Sequence, residues 1–254
     1  MIIAAALCPA APLLVREVTG ADPVVPDLRG ACLAAVAELA AAAPGVTVVV
    51  GAAERTTTWD AGRTFDTAGF APRARPGGTG QADQAGGDAG AGPTPSSGLP
   101  TALGVGAWLL GQTGYAGDRI LRSVGHDEPT GRCADTGAAL AAARERAALL
   151  VMADGSARRT LKAPGYFDER SAGFDAAVEH AIRTGRLDAL LSVDAGLARE
   201  LMATGRPAWQ VLAGALRGRK VTTEVRYCDD PFGVAYLVAS LRPHAGERKG
   251  ALDG

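Results

Sequence analysis

The sequence predicts an α/β protein: a single-domain, three-layer α/β/α sandwich around a mostly parallel, mixed sheet. Two observations carry this reading. Three short runs, Ile2–Leu7, Val46–Gly51 and Ala148–Ala153, are almost wholly apolar, as strands covered on both faces must be. Between them lie longer amphipathic or alanine-rich segments of helical length. Strands that alternate with helices imply crossover connections, and these place parallel neighbours in one sheet.

Each element has its own local reason. After the Ile2–Leu7 strand, the stretch Asp27 to Ala43 reads as a helix, with Asp27 as its cap after Pro26 and Pro44-Gly45 as its stop. Val46–Gly51 is the second buried strand. From about Pro72 to Gly98 the chain is Gly, Pro, Ala, Asp, Gln, Ser and Thr, with almost no large apolar group. Such a composition cannot bury enough surface to offset its ordering entropy, so a disordered insertion within the domain is expected at 72–98. The pattern then resumes. Leu99 to Gln112 is a helix interrupted by glycines, Arg119–Val124 a strand, Cys133 to Arg146 an alanine-rich helix, and Ala148–Ala153 a buried strand. Helices are expected at Phe167 to Thr184, around Ala195–Met202, and at Pro207 to Leu216. Val221–Cys228 and Val234–Leu241 close the domain as antiparallel final strands. The domain is thus expected to span 1–242, with 243–254 as a flexible tail.

Composition excludes several function classes. The 26 basic and 27 acidic residues leave a net charge near zero, with no basic stripe for nucleic acid. Nearly all the basic residues are arginine. The four cysteines, Cys8, Cys32, Cys133 and Cys228, are far apart and lack metal-ligand spacing, so free thiols of a reducing compartment are expected. No basic residue precedes Arg16, so the apolar start lacks the charged region of a secretory signal. No apolar run reaches the roughly 20 residues that cross a bilayer. A cytoplasmic protein with no membrane partner is the expectation.

In sheets of this kind, ligands collect beyond the carboxyl ends of the strands. The sequence there reads C-P-A-A-P, then G-A-A-E-R-T-T-T-W-D, then D-G-S-A-R-R, with D-D-P-F-G between the last two strands. Asp154, Ser156 and Arg158 share one loop, with Gly155 permitting a sharp turn. Arg158 offers a planar fork for an anion. Equally, Asp154 and Ser156 can satisfy loop backbone groups while Arg158 and Arg159 pair with surface acids. Glu54 stands at the second strand end and Cys8 at the first. Cys8 acts as a nucleophile only if its thiolate is stabilised, and a small buried filler is the plainer reading. Ser156 lies outside a G-x-S-x-G elbow. His126 follows a strand, His180 lies within a helix and His244 in the expected tail. The glycines of G-V-G-A-W-L-L-G suit packing better than a phosphate cradle.

The order of these loops resembles the class III extradiol ring-cleavage dioxygenase (LigB-like) superfamily. The resembling segments are C-P-A-A-P-L-L, V-V-V-G-A-A-E-R, A-D-G-S-A-R-R and the helix F-D-A-A-V-E-H-A-I. D-G-S-A-R-R with A-P-G-Y and F-D looks most like an unassigned bacterial subgroup. The likeness spans the chain apart from 72–98. It implies the sandwich fold, and it implies an Fe(II) site held by two histidines and a glutamate with a separate acid-base histidine. Here Ala10 and Ala53 stand at the two iron-ligand histidines and Ala157 at the acid-base histidine. Glu224, Asp229 and Asp230 lie near the expected glutamate without matching it. A methyl group cannot coordinate metal, and one surviving carboxylate holds Fe(II) weakly.

Two function classes follow. The favoured one is a pseudoenzyme that keeps a small-molecule or partner-binding crevice, its ligand anionic or aromatic, with candidate contacts Asp154, Ser156, Arg158, Glu54 and Cys8. It needs no cofactor, no metal ligand is assigned, and it is compatible with a homo-oligomer. The alternative is a divergent enzyme, or a residual Fe(II)-dependent oxidoreductase acting on a catecholic substrate.

Overall fold

The computed structural model describes residues 1–20, 24–67, 70 and 98–248. Apart from Gly98, the expected 72–98 insertion lies outside the described residues. The chain forms a seven-stranded sheet with helices on both sides. In chain order the strands are β1 (Ile2–Cys8), β2 (Val46–Ala53), β3 (Thr57–Trp59), β4 (Asp118–Gly125), β5 (Ala147–Met152), β6 (Arg219–Asp229) and β7 (Tyr236–Arg248). Their spatial order is β3-β4-β2-β5-β1-β7-β6. The central four, β4, β2, β5 and β1, are parallel, while β3, β7 and β6 each run antiparallel to a neighbour.

The helices are α1 (Arg16–Thr19), α2 (Pro26–Ala41), α3 (Thr101–Gln112), α4 (Thr130–Ala142), α5 (Arg170–Arg183), α6 (Ala195–Glu200) and α7 (Arg206–Ala215). Short 3-10 turns occupy Pro12–Leu14 and Leu187–Ser192. Among the described residues no helix is long and apolar enough to cross a membrane.

The wholly apolar strands are explained by two cores, one on each face. Along β5, Leu149 and Val151 enter the core shared with α5 and α7, while Ala148, Leu150 and Met152 enter the core shared with α2 and α3. A strand buried on both faces has no polar register, which is why the period-2 signal is absent. Full burial of each leucine is worth about 1.5–3 kcal/mol. Helix α7 is buried at all ten positions, sitting between the sheet and α4. On α3, a Cβ at Gly106 would meet Val49 Cγ1 at 2.5 Å, so this glycine lets the helix lie close against β2.

Several boundaries differ from expectation. Asp27 does not cap α2. The helix opens on Pro26, whose fixed φ suits a first turn, and Asp27 falls inside it as an acid at the positive end of the dipole. Strand β3 is too short and polar to declare itself in sequence, and it exists only as an edge partner of β4. Strand β7 continues through Arg248, into the segment expected as a tail from 243. Pairing with β6 extends it, and Nε2 of His244 lies 2.8 Å from Thr222 Oγ1.

Candidate functional site

Because β1, β2, β4 and β5 are parallel, their carboxyl ends deliver four loops to one edge of the sheet. These loops and the start of α3 enclose a crevice of about 830 Å³. Its walls include Ala10, Ala52, Ala53 and Ala102, so much of the lining is methyl groups. Glu54, Arg55, Trp59, Arg63, His126, Asp154 and Thr204 supply its polar and aromatic groups.

Asp154 lies two residues beyond the end of β5 and is only partly exposed. The backbone N–H of Ala10 donates to its Oδ1 at 3.0 Å, and this is its one side-chain hydrogen bond among the described residues. Burial raises its carboxyl from 3.8 to about 6, against a smaller opposing pull from the Ala10 N–H.

The rest of the loop turns the other way. Ser156 is fully buried; its N–H donates to Asp175 Oδ1 at 2.8 Å and its Oγ to Asp175 Oδ2 at 2.5 Å. The expectation that Ser156 contacts a crevice ligand is therefore corrected: its hydroxyl is committed to α5. Arg159 Nε donates to Asp230 Oδ2 at 2.7 Å and lies 3.9 Å from Asp175. Asp175 is itself pushed up by burial, against the pull of the two Ser156 donors and Arg159. Arg158 is also not part of the crevice lining. Its stem abuts Gly165, and its Nε is buried without a hydrogen-bond partner. Gly155 does not serve as a left-handed turn residue. A Cβ there would meet Ala235 Cβ and Asp175 Oδ1, each at 2.8 Å, so the close approach of Ala235, just before β7, and of α5 demands glycine.

Cys8 is fully buried between the sheet and α2, beside Cys32, whose thiol is raised first by the contact with Cys8 and then by burial. It does not line the crevice, which corrects its place among the ligand contacts. Glu54 does line it and is exposed. Of the three alanines singled out above, Ala10 and Ala53 line the crevice. Ala157 lies outside it, with its N–H donating to Leu201 O. His126 is exposed at the rim; its backbone N–H donates to Ala53 O and its carbonyl accepts from the buried Arg206. His180 and His244 do not line the crevice.

Sequence reasoning missed the aromatic side of the mouth. Trp59 is fixed by its Nε1 donating to Ser123 Oγ at 2.8 Å. The guanidinium groups of Arg55 and Arg63 lie 5.9 and 5.5 Å from its ring centroid, a cation–π arrangement. The only signal was the tryptophan in E-R-T-T-T-W-D. Asp175 was missed as well, although the F-D pair of α5 marks it. Among the described residues, no three His, Cys, Asp or Glu side chains are grouped so as to hold a metal ion.

No protein-family model matches the chain, and no curated protein matches it. Its fold is similar to that of an uncharacterized protein from Escherichia coli K12 known from its crystal structure. The TM-score is 0.53 at 14% identity, over 94% of this chain and 99% of that one. At that identity the likeness establishes a shared α/β fold and nothing about chemistry.

Proposed function

We propose that this chain is a class III extradiol dioxygenase-like (LigB-like) protein that lacks the Fe(II) site and ring-cleaving activity and binds a small molecule in its crevice. One observation carries the reading. Ala10 and Ala53, which the resemblance sets at the two histidine ligands, line the same crevice at the carboxyl edge of the sheet. The residues present do not fit Fe(II). Two of the three ligand positions are methyl groups, and the donors nearby form no three-membered set among the described residues. What the crevice offers instead is a methyl-lined floor, one buried carboxyl and a charged, aromatic mouth, the composition of a binding site.

A divergent enzyme is the second reading, favoured by Asp154. A crevice carboxyl that titrates at about 6 can exchange a proton near neutral pH.

The deciding experiment is anaerobic reconstitution with Fe(II), desalting and metal analysis. Far less than one equivalent of iron should remain, and catechols with oxygen should give no yellow ring-fission product. Tightly held stoichiometric iron would overturn the first reading. Oxygen-dependent turnover without it would favour the second.

A further inference from the structure

We propose that the crevice selects a ligand with a cationic, hydrogen-bond-donating head, a primary ammonium or an amidinium, seated on the carboxylate of Asp154. This rests on the reading of the crevice as a small-molecule site and names the ligand's head group. It replaces the anionic ligand that the arginines of D-G-S-A-R-R suggested.

Among the described residues, the Asp154 side chain is engaged through one oxygen only. Oδ1 accepts from the Ala10 N–H, and Oδ2 has no hydrogen-bond partner among the described residues. Nor is Oδ2 sealed into the protein, for Asp154 lines the crevice and is absent from the buried atoms that lack partners. A partly desolvated carboxylate with a vacant oxygen is costly unless something pairs with it.

Among the described residues, no cation forms a hydrogen bond with its side chain. Burial raises the Asp154 carboxyl, and the Ala10 N–H pulls it down. Arg159 is engaged with Asp230, and Arg158 lies outside the crevice. Arg55 and Arg63 lie over Trp59 at the mouth. The other titratable groups that feel Asp154 are Tyr236 of β7 and Cys32 of α2, both held neutral by their raised values. Glu54, Arg55, Arg63 and His126 share the crevice wall. An anionic head seated beside Asp154 would meet its charge directly. A cationic donor would instead form a charge-assisted bond with Oδ2. The surrounding alanines suit a compact apolar body behind that head.

The test uses three probes with one body: benzylamine, benzyl alcohol and benzoate, titrated at millimolar concentrations into the full chain and followed by NMR. Near pH 8, benzylamine should bind at least roughly tenfold more tightly than benzoate, and Asp154→Asn should remove that advantage. Asn keeps the acceptor for Ala10, so the variant should fold, which a thermal melt verifies. Amine binding should weaken as pH falls through about 6, where Asp154 takes up a proton. Saturating amine should also lower the Asp154 titration in a carboxyl-carbon NMR experiment. Equal or tighter binding of benzoate, or undiminished amine binding by Asp154→Asn, would overturn the proposal.

The crevice reading is tested separately by Thr204→Trp, an exposed lining position where added bulk fills the crevice. If benzoate or benzyl alcohol binds as tightly as benzylamine and Thr204→Trp abolishes it, the crevice is a binding site but Asp154 does not select the head. If none of the three probes binds, both readings fall.

Discussion

Asp154 and Asp175 stand on opposite sides of one loop, and both are pushed up by burial. Asp175 is engaged on both oxygens, taking the N–H and hydroxyl of Ser156, and it faces Arg159. Asp154 takes one backbone N–H and faces the crevice. The first builds the loop; the second is left for something outside the chain. The difference separates a carboxylate that contributes to stability from one that detracts from it. Natural proteins commonly carry that second kind at functional sites.

The largest expected effect comes from breaking the engaged side. Asp175→Ala leaves the Ser156 N–H and hydroxyl buried without an acceptor and should cost about 3 kcal/mol. A urea midpoint at unchanged slope measures it, and a loss below about 1 kcal/mol would mean that water replaces the carboxylate.

Next comes the opposite sign on the vacant side. Asp154 has a folded value raised above its ordinary 3.8, so the folded state holds the proton more tightly between about 4 and 6. Stability contributed by that proton is lost as pH rises through this window. Asp154→Asn removes the cost and should stabilise the protein by about 2 kcal/mol near neutral pH. The gain should shrink to zero below pH 4, where Asp154 is protonated in both the folded and the unfolded chain. Melts across that range would show it. A pH-independent loss instead would make Asp154 a structural anchor and erase the contrast.

A smaller effect is expected for Ser156→Ala, about 1.5 kcal/mol from one buried charge-assisted bond. It should leave probe binding in the crevice unchanged. Smallest of all, Arg158→Ala should shift stability by no more than about 0.5 kcal/mol, because its Nε makes no hydrogen bond. Ligand affinity should also be unaffected; a tenfold loss would put Arg158 back at the site.

The legibility of this protein divides along the same line. Val46–Gly51 and Ala148–Ala153 announced themselves because a strand covered on both faces must be apolar throughout, which composition records directly. The four loops at the strand ends follow from parallel order alone, so Ala10, Ala53, Glu54 and Asp154 were legible as crevice residues. Ser156, Arg158 and Cys8 were not legible as lying outside it. Their positions are fixed by partners distant in sequence, such as Asp175, nineteen residues beyond Ser156.

The sequence by itself determined the layers, the strand and helix cores, the near-zero net charge and the absence of histidine from the strand-end loops at 10, 53 and 157. These follow from side-chain chemistry and local period. Only the tertiary structure decided the strand order, the three-residue edge strand β3, the extension of β7 through Arg248, and which way each side chain of the 154–159 loop faces. In an irregular loop no period sets direction. Each side chain turns to the partner that satisfies it, and Ser156 finds Asp175 while Oδ2 of Asp154 finds none.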